Sequence, residues 1–409
     1  MKQLRIYLVI LFFVAIFSCK KESPPTDHPP VSYWKENIGS TPGLPLLPDS
    51  NVNYYLYIFK RKKGDPIAIR IKGQFGYARY MGFNVYDNRT LNSVNSLIDK
   101  SIIPDVGNVN PFQSTSDPNT PNRHYTIQVL PRGITDSGTY QNELFYDDNL
   151  EEIAIIMRYY IPENNPNASV PLPDIEAFNI NTGATVTPPE PITSSFEEQF
   201  ADKKASVIRL LGLSSALEQP QKISFYRFSG VLLYPNKDNY YLFTPITFDK
   251  DKVIVLRFKA ASYAKNNTQN DEADVRYYSL CTCDAESYTY TTTSDDFLKV
   301  ADSDGYINVV IAEDLPELRA KAAGLNFIPL SAMLQPRKKG IIIYRHLLTR
   351  PGFEGDFGQV PDLASALLDN ILNLDNLQAE NYVSPYAPVG KKMSKTDYLE
   401  DFGGIEVSY

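Results

Sequence analysis

From residue 51 onward, apolar and aromatic residues come in short runs bounded by Gly, Pro, Asn and Asp. Runs of that kind, rich in β-branched and aromatic side chains, predict strands. Five of them recur in the same order in the second half of the chain. Tyr54-Tyr55-Leu56 is matched by Tyr240-Tyr241-Leu242, and Ile67–Ile71 by Val253–Phe258. Ala78-Arg79-Tyr80 through Asp87 is matched by Val275-Arg276-Tyr277 through Asp284. Tyr125–Val129 is matched by Tyr306–Val310, and Ile153–Tyr159 by Gly340–His346. Each match is short, but the conserved order predicts an internal duplication. The fold expected is mainly β: two tandem jelly-roll-like β-sandwiches over residues 51–190 and 221–355.

Helical spacing is confined to two stretches. Ser195-Phe196-Glu197-Glu198 has the form of a capping box, and Phe196, Phe200, Val207, Leu210 and Leu211 follow at helical intervals. This predicts a linking helix within 191–220. Leu363, Leu367, Ile371 and Leu374 predict a second helix from Pro361 to about Leu377, inside a C-terminal segment of helix and polar tail over 356–409.

The N-terminus has a different pattern. Lys2 and Arg5 precede an unbroken apolar run, Ile6–Phe17. A membrane span needs roughly 20 such residues, so the run reads as a signal-peptide core over residues 1–18. Ile16-Phe17-Ser18-Cys19 resembles a bacterial lipobox, with Cys19 as the lipidated residue and the bulky Phe17 as a departure. Residues 19–50 carry Pro24, Pro25, Pro29 and Pro30 and read as a semi-rigid tether. Lipidation implies a membrane partner through the anchor and an address at the cell outer membrane, with surface exposure open.

The Arg79-Tyr80 strand ending in Val85-Tyr86-Asp87, with Arg123-His124-Tyr125 and Arg158-Tyr159-Tyr160-Ile161-Pro162, resembles exported and cell-envelope bacterial lipoproteins of unknown function. Pro104–Phe112 is similar to a loop of that family. The second copy departs, with Cys283 in place of the tyrosine and Thr349 in place of the proline. The resemblance implies tandem jelly-roll-like domains and no particular activity.

Composition narrows the function classes. The chain has 409 residues and a formal net charge of −8, which argues against a nucleic-acid partner. Three histidines and no His-Glu-x-x-His argue against a metal centre, and no cofactor motif occurs. Asp302-Ser303-Asp304-Gly305 reads as a hairpin turn more readily than as a calcium loop. Cys281 and Cys283 point to one face of a strand and read as two buried thiols; a redox or metal pair is the alternative.

The remaining chemistry is a set of charged and polar residues in or beside the strands. Arg79, Asp87, Asp105, Asn110, His124, Tyr125 and Arg158 are candidate ligand-binding residues. Arginine in an apolar strand is costly unless paired, so the repeated arginines serve either to order each sandwich or to line a cleft for an anionic or sugar ligand. Tyrosine, at 28 residues, suits sheets, protein interfaces and sugar stacking. The expected function is a binding module for a glycan, peptide or partner protein. An envelope hydrolase or lyase using Asp99, Asp105 or His124 is the first alternative, and a structural protein without ligand is the second.

Overall fold

The fold is that of a computed structural model, which describes residues 33–36, 48–133, 138–162, 170–192, 222–227, 234–266, 269, 271–284, 289–294, 298, 304–330, 339–363, 365 and 373–401. The chain divides into two units, Met1–Ser32 and Tyr33–Tyr409, and the architecture below is that of the second. The signal segment, Cys19 and the linking helix lie outside the described residues, as does the middle of the expected Pro361–Leu377 helix.

The first copy contributes β1 (Lys35–Glu36), β2 (Val52–Lys60), β3 (Ile67–Gln74), β4 (Ala78–Asp87), β5 (Ser93–Ile98), β6 (His124–Arg132), β7 (Glu143–Asp147), β8 (Glu152–Pro162), β9 (Asp174–Asn179) and β10 (Thr185–Val186). They form two sheets, ordered β1-β2-β8-β4-β5 and β10-β9-β3-β6-β7. The second copy contributes β11 (Tyr226–Arg227), β12 (Asn239–Thr247), β13 (Lys252–Lys259), β14 (Tyr277–Asp284), β15 (Thr289–Ser294), β16 (Tyr306–Glu313), β17 (Asn326–Leu330), β18 (Lys339–Leu347) and β19 (Val389–Ser394). Its sheets run β11-β12-β18-β14-β15 and β17-β16-β13-β19.

The two strand orders correspond strand for strand, save that β10 has no counterpart among the described residues of the second copy. Even the parallel pair recurs: β7 beside β6 and β17 beside β16. The duplication expected from the sequence is therefore present as topology. In each copy alternate side chains of the two sheets meet face to face. One core joins Tyr57, Ile69, Phe83, Ile127, Ile155 and their neighbours. The other joins Leu242, Leu256, Leu280, Val309, Tyr344 and theirs.

Pair register corrects one detail. Arg158 lies opposite Tyr54, and Arg345 lies opposite Tyr241, so Tyr54 is equivalent to Tyr241 rather than to Tyr240. A slip of one residue reverses which face a side chain takes. Asn84 opposite Ile156 then corresponds to Cys281 opposite Ile343.

Two expected boundaries also move. Within the stretch read as tether, Trp34 is buried in the first core and donates to the Pro173 carbonyl at 2.7 Å, and Lys35–Glu36 pairs with β2. An indole anchored in a core is not part of a free spacer. Within the stretch read as a tail, β19 pairs with β13 along six positions and completes the second sandwich. Its sequence, Val-Gly-Lys-Lys-Met-Ser, is too polar to read as a strand. Of the expected C-terminal helix, Leu363 is buried and Leu374–Leu377 is a short 3-10 turn. No helix among the described residues is long and apolar enough to cross a membrane.

Candidate functional site

The copies meet through buried polar groups. Arg276 of the second copy places one guanidinium nitrogen 2.9 Å from each carboxylate oxygen of Asp99, and both side chains are sealed from solvent. Asp99 also accepts from the Met81 and Lys100 backbone amides. Asp49 accepts from the Tyr277 and Ser279 hydroxyls and lies 3.7 Å from Arg345. Tyr80 donates to Asp238 at 2.6 Å, while Asn51 donates to Tyr277 at 3.3 Å. Burial raises Asp238 above the usual carboxylate range and pushes the Tyr80, Tyr160 and Tyr277 hydroxyls well above theirs. These groups satisfy one another across the seam, so this layer is a mortar between the copies.

Most residues singled out in the sequence belong to that mortar or to other scaffolding. Arg158 is buried; it donates to Asn84, to the Tyr86 hydroxyl and to the Tyr234 carbonyl. Tyr125 is in the core against Phe75 and Phe83. Asp87 caps the β4–β5 turn, accepting from the Arg89 amide and the Thr90 hydroxyl. Asp105 accepts from Thr126. His124 is exposed, and its backbone amide donates to Asn108. Asn110 is buried and holds the 99–112 loop by donating to the Asp99 and Ile102 carbonyls at 2.7 Å and accepting from the Phe112 amide. These residues do not converge on one point. Asp87 alone stands at the far end of β4 from Arg79, about 25 Å away at strand rise.

Arg79 is the exception. It lines a cleft of about 300 Å3 together with Gly76, Tyr77, Pro111, Phe112, Pro118, Asn119 and Ile161 of the first copy and Lys265 and Asn266 of the second. The cleft wall is built from the backbone up. At Gly76, two residues before β4, a Cβ would stand 2.5 Å from the Tyr159 ring, so a larger residue would have to displace that ring. Ile161 has a positive φ of 46° and donates its amide to the Asn51 carbonyl; Leu348, its counterpart, does the same to Asp238. The strained turn is thus a feature of the repeat and not of the cleft.

The floor is aromatic. The guanidinium carbon of Arg123 sits 3.6 Å from the Tyr77 ring centroid. Arg123 is itself buried and donates to the Thr120, Phe75 and Pro118 carbonyls. Three backbone anchors and one ring face fix Tyr77 in place. Arg79 and Lys265 lie on either copy, 5.3 Å and 5.7 Å from the same Tyr263 ring. Tyr77, Phe112, Lys265 and Asn266 were not among the residues expected from sequence. Phe112 closes the family-like loop Pro104–Phe112, but nothing in the local pattern brings Lys265 to it from over 140 residues away.

Among the described residues no group of His, Cys, Asp and Glu is arranged to hold a metal ion. Cys281 and Cys283 are buried and not joined in a disulfide, and the Cys281 sulfur accepts from Arg345.

No family model and no curated protein matches the chain. Among solved structures, it is similar to an uncharacterized protein from Burkholderia cenocepacia, with 12% identity, a TM-score of 0.49, and 85% of this chain and 78% of that one covered. It is similar also to a protein from Vibrio parahaemolyticus, with 11% identity, a TM-score of 0.41, and 74% and 86% covered. Likeness at that level says nothing about a ligand. The class the fold defines is a mainly β protein of several sheets, packed as sandwiches, with an open cleft between its two copies.

Proposed function

We propose that the chain is an exported, lipid-anchored envelope protein that binds a glycan in the cleft between its two copies. The observation that carries the reading is the fixed Tyr77 ring. It lies against the guanidinium of Arg123 and lines a cleft whose other walls mix apolar (Pro111, Phe112, Ile161) and polar (Arg79, Asn119, Lys265, Asn266) side chains. Sugar rings present an apolar face and hydroxyl edges, and a held aromatic with amides and cations around it matches both. The cleft volume is at the small end of ligand sites and suits one or two sugar rings. The signal-like run, Cys19 and the proline-rich stretch after it support export and anchoring.

The hydrolase or lyase reading loses one of its acids, because Asp99 is spent on Arg276 and fully buried. A second binding reading has an observation of its own. Ile103, Val106 and Val109 expose their side chains from a loop pinned by Asn108, Asn110 and Asn142, which favours a protein partner at that loop.

A glycan array probed with the mature chain and with Tyr77→Ala tests the main reading. Hits that Tyr77→Ala abolishes support it; an empty array, or hits the variant leaves intact, counts against it. Mass spectrometry of the protein extracted from membranes tests the anchor, which requires an acylated Cys19.

A further inference from the structure

We infer that the glycan of this cleft carries an N-acetylated amino sugar, its ring stacked on Tyr77 and its acetamido group lying on the Pro118-Asn119 step. The inference rests on the reading of the cleft as a glycan site and names the chemistry of what enters it.

Its ground is that one side chain fixes both contact surfaces. The guanidinium carbon of Arg123 lies 3.6 Å from the centre of the Tyr77 ring, and the same group donates to the Pro118 carbonyl at 2.6 Å. Arg123 is buried and is held in turn by the Thr120 and Phe75 carbonyls. Asn119 comes next in the chain, with its backbone amide tied to the Asp117 carboxylate at 2.9 Å. The stacking ring and the Pro118-Asn119 step therefore stand one guanidinium apart in a fixed relation, and both line the cleft. A substituent on a sugar ring seated over Tyr77 has that step within reach.

Wall chemistry selects the substituent. A plain hexose spends its apolar face on the stacking ring and presents hydroxyls along its edge. Ala78 and Ile161 are half-buried and Pro118 is exposed, and hydroxyls cover such apolar surface poorly. An acetamido group brings a methyl to it. Its amide has one donor and one acceptor, the complement of a carboxamide, and the cleft offers carboxamides from Asn119 of the first copy and Asn266 of the second. In Pro118-Asn119 the apolar and amide surfaces are side by side, as methyl and amide are in the acetamido group. A deoxy sugar such as rhamnose supplies the methyl without the amide.

The experiment is a binding titration of the mature full chain against three tetrasaccharides: one of N-acetylglucosamine, one of glucose in the same linkage and one of rhamnose. The expected result is a preference of about tenfold or more for the acetylated probe over each of the others. Asn119→Ala, at an exposed position, should cut that preference fivefold or more while leaving the affinity for the glucose probe as it was. A preference unchanged in Asn119→Ala would overturn the assignment of the acetamido group to this step. Equal or tighter binding of the glucose or rhamnose probe, lost in Tyr77→Ala, would overturn the acetylated ligand and leave the glycan site standing. Binding of none of the three, or binding indifferent to Tyr77→Ala, would overturn both.

Discussion

Arg276 and Asp99 belong to different sandwiches and form a two-oxygen ion pair with 2% and 0% of their side chains exposed. Charges so deeply buried are worth little as a pair against an apolar replacement, yet costly to break singly. Asp99→Asn or Arg276→Met should each lower stability by about 3–5 kcal/mol. The double variant Asp99→Leu with Arg276→Met should recover most of that loss. Urea unfolding of all three, read by tyrosine fluorescence, checks it.

Cys281 stands where Asn84 stands in the other copy, each accepting from the arginine two strand positions along. The thiol acts as an acceptor, so Cys281→Asn should cost less than about 1.5 kcal/mol. Cys281→Val removes the acceptor from a buried guanidinium and should cost about 1–3 kcal/mol. Denaturation midpoints of the two variants decide between this role and a simple packing role, in which valine would be the milder change.

His346 is stacked on Phe357 with centroids 3.8 Å apart, and burial pushes its pKa down from 6.5 to about 3. Between those values the unfolded chain binds a proton that the folded chain excludes. Stability therefore rises with pH across that window and is lost as pH falls from about 6.5 toward 3. The loss is at most about 1.4 kcal/mol per pH unit. His346→Phe should flatten this part of the curve. Thermal unfolding between pH 4 and 7 measures it.

β19 is an edge strand supplied by the last part of the chain, and it covers β13. Ending the protein after Pro388 would expose the β13 edge and its apolar neighbours, so the truncated form should aggregate. Gly390→Ala is a finer probe, since its Cβ would lie 2.0 Å from the Val255 carbonyl oxygen. A loss of about 1–3 kcal/mol is expected. Light scattering and thermal unfolding report the two outcomes.

Much of this architecture was legible in the sequence, because strands with strong apolar periods announce themselves. The paired segments around Arg79 and Arg276, or Arg158 and Arg345, identify the two copies before any coordinates. β19 was not legible, because Lys391 and Lys392 break the apolar pattern and its place is decided by the free edge of β13. Trp34 was hidden among prolines. Of the candidate residues, Arg79 alone lines the cleft, and Asn110 shapes the loop beside it. A strand arginine that seals an interface and one that lines a cleft look alike in sequence. What separates Arg276 from Arg79 is Asp99, which lies 177 positions from Arg276 along the chain.

The contacts between copies are reciprocal: Tyr277 of the second reaches Asn51 of the first, and Tyr80 of the first reaches Asp238, the counterpart of Asn51. Reciprocity of that kind is how two identical chains build an isologous dimer. With both partners on one polypeptide, the union cannot be diluted apart. Nor must a change in one half be copied in the other, so the two halves of a twofold assembly are free to diverge.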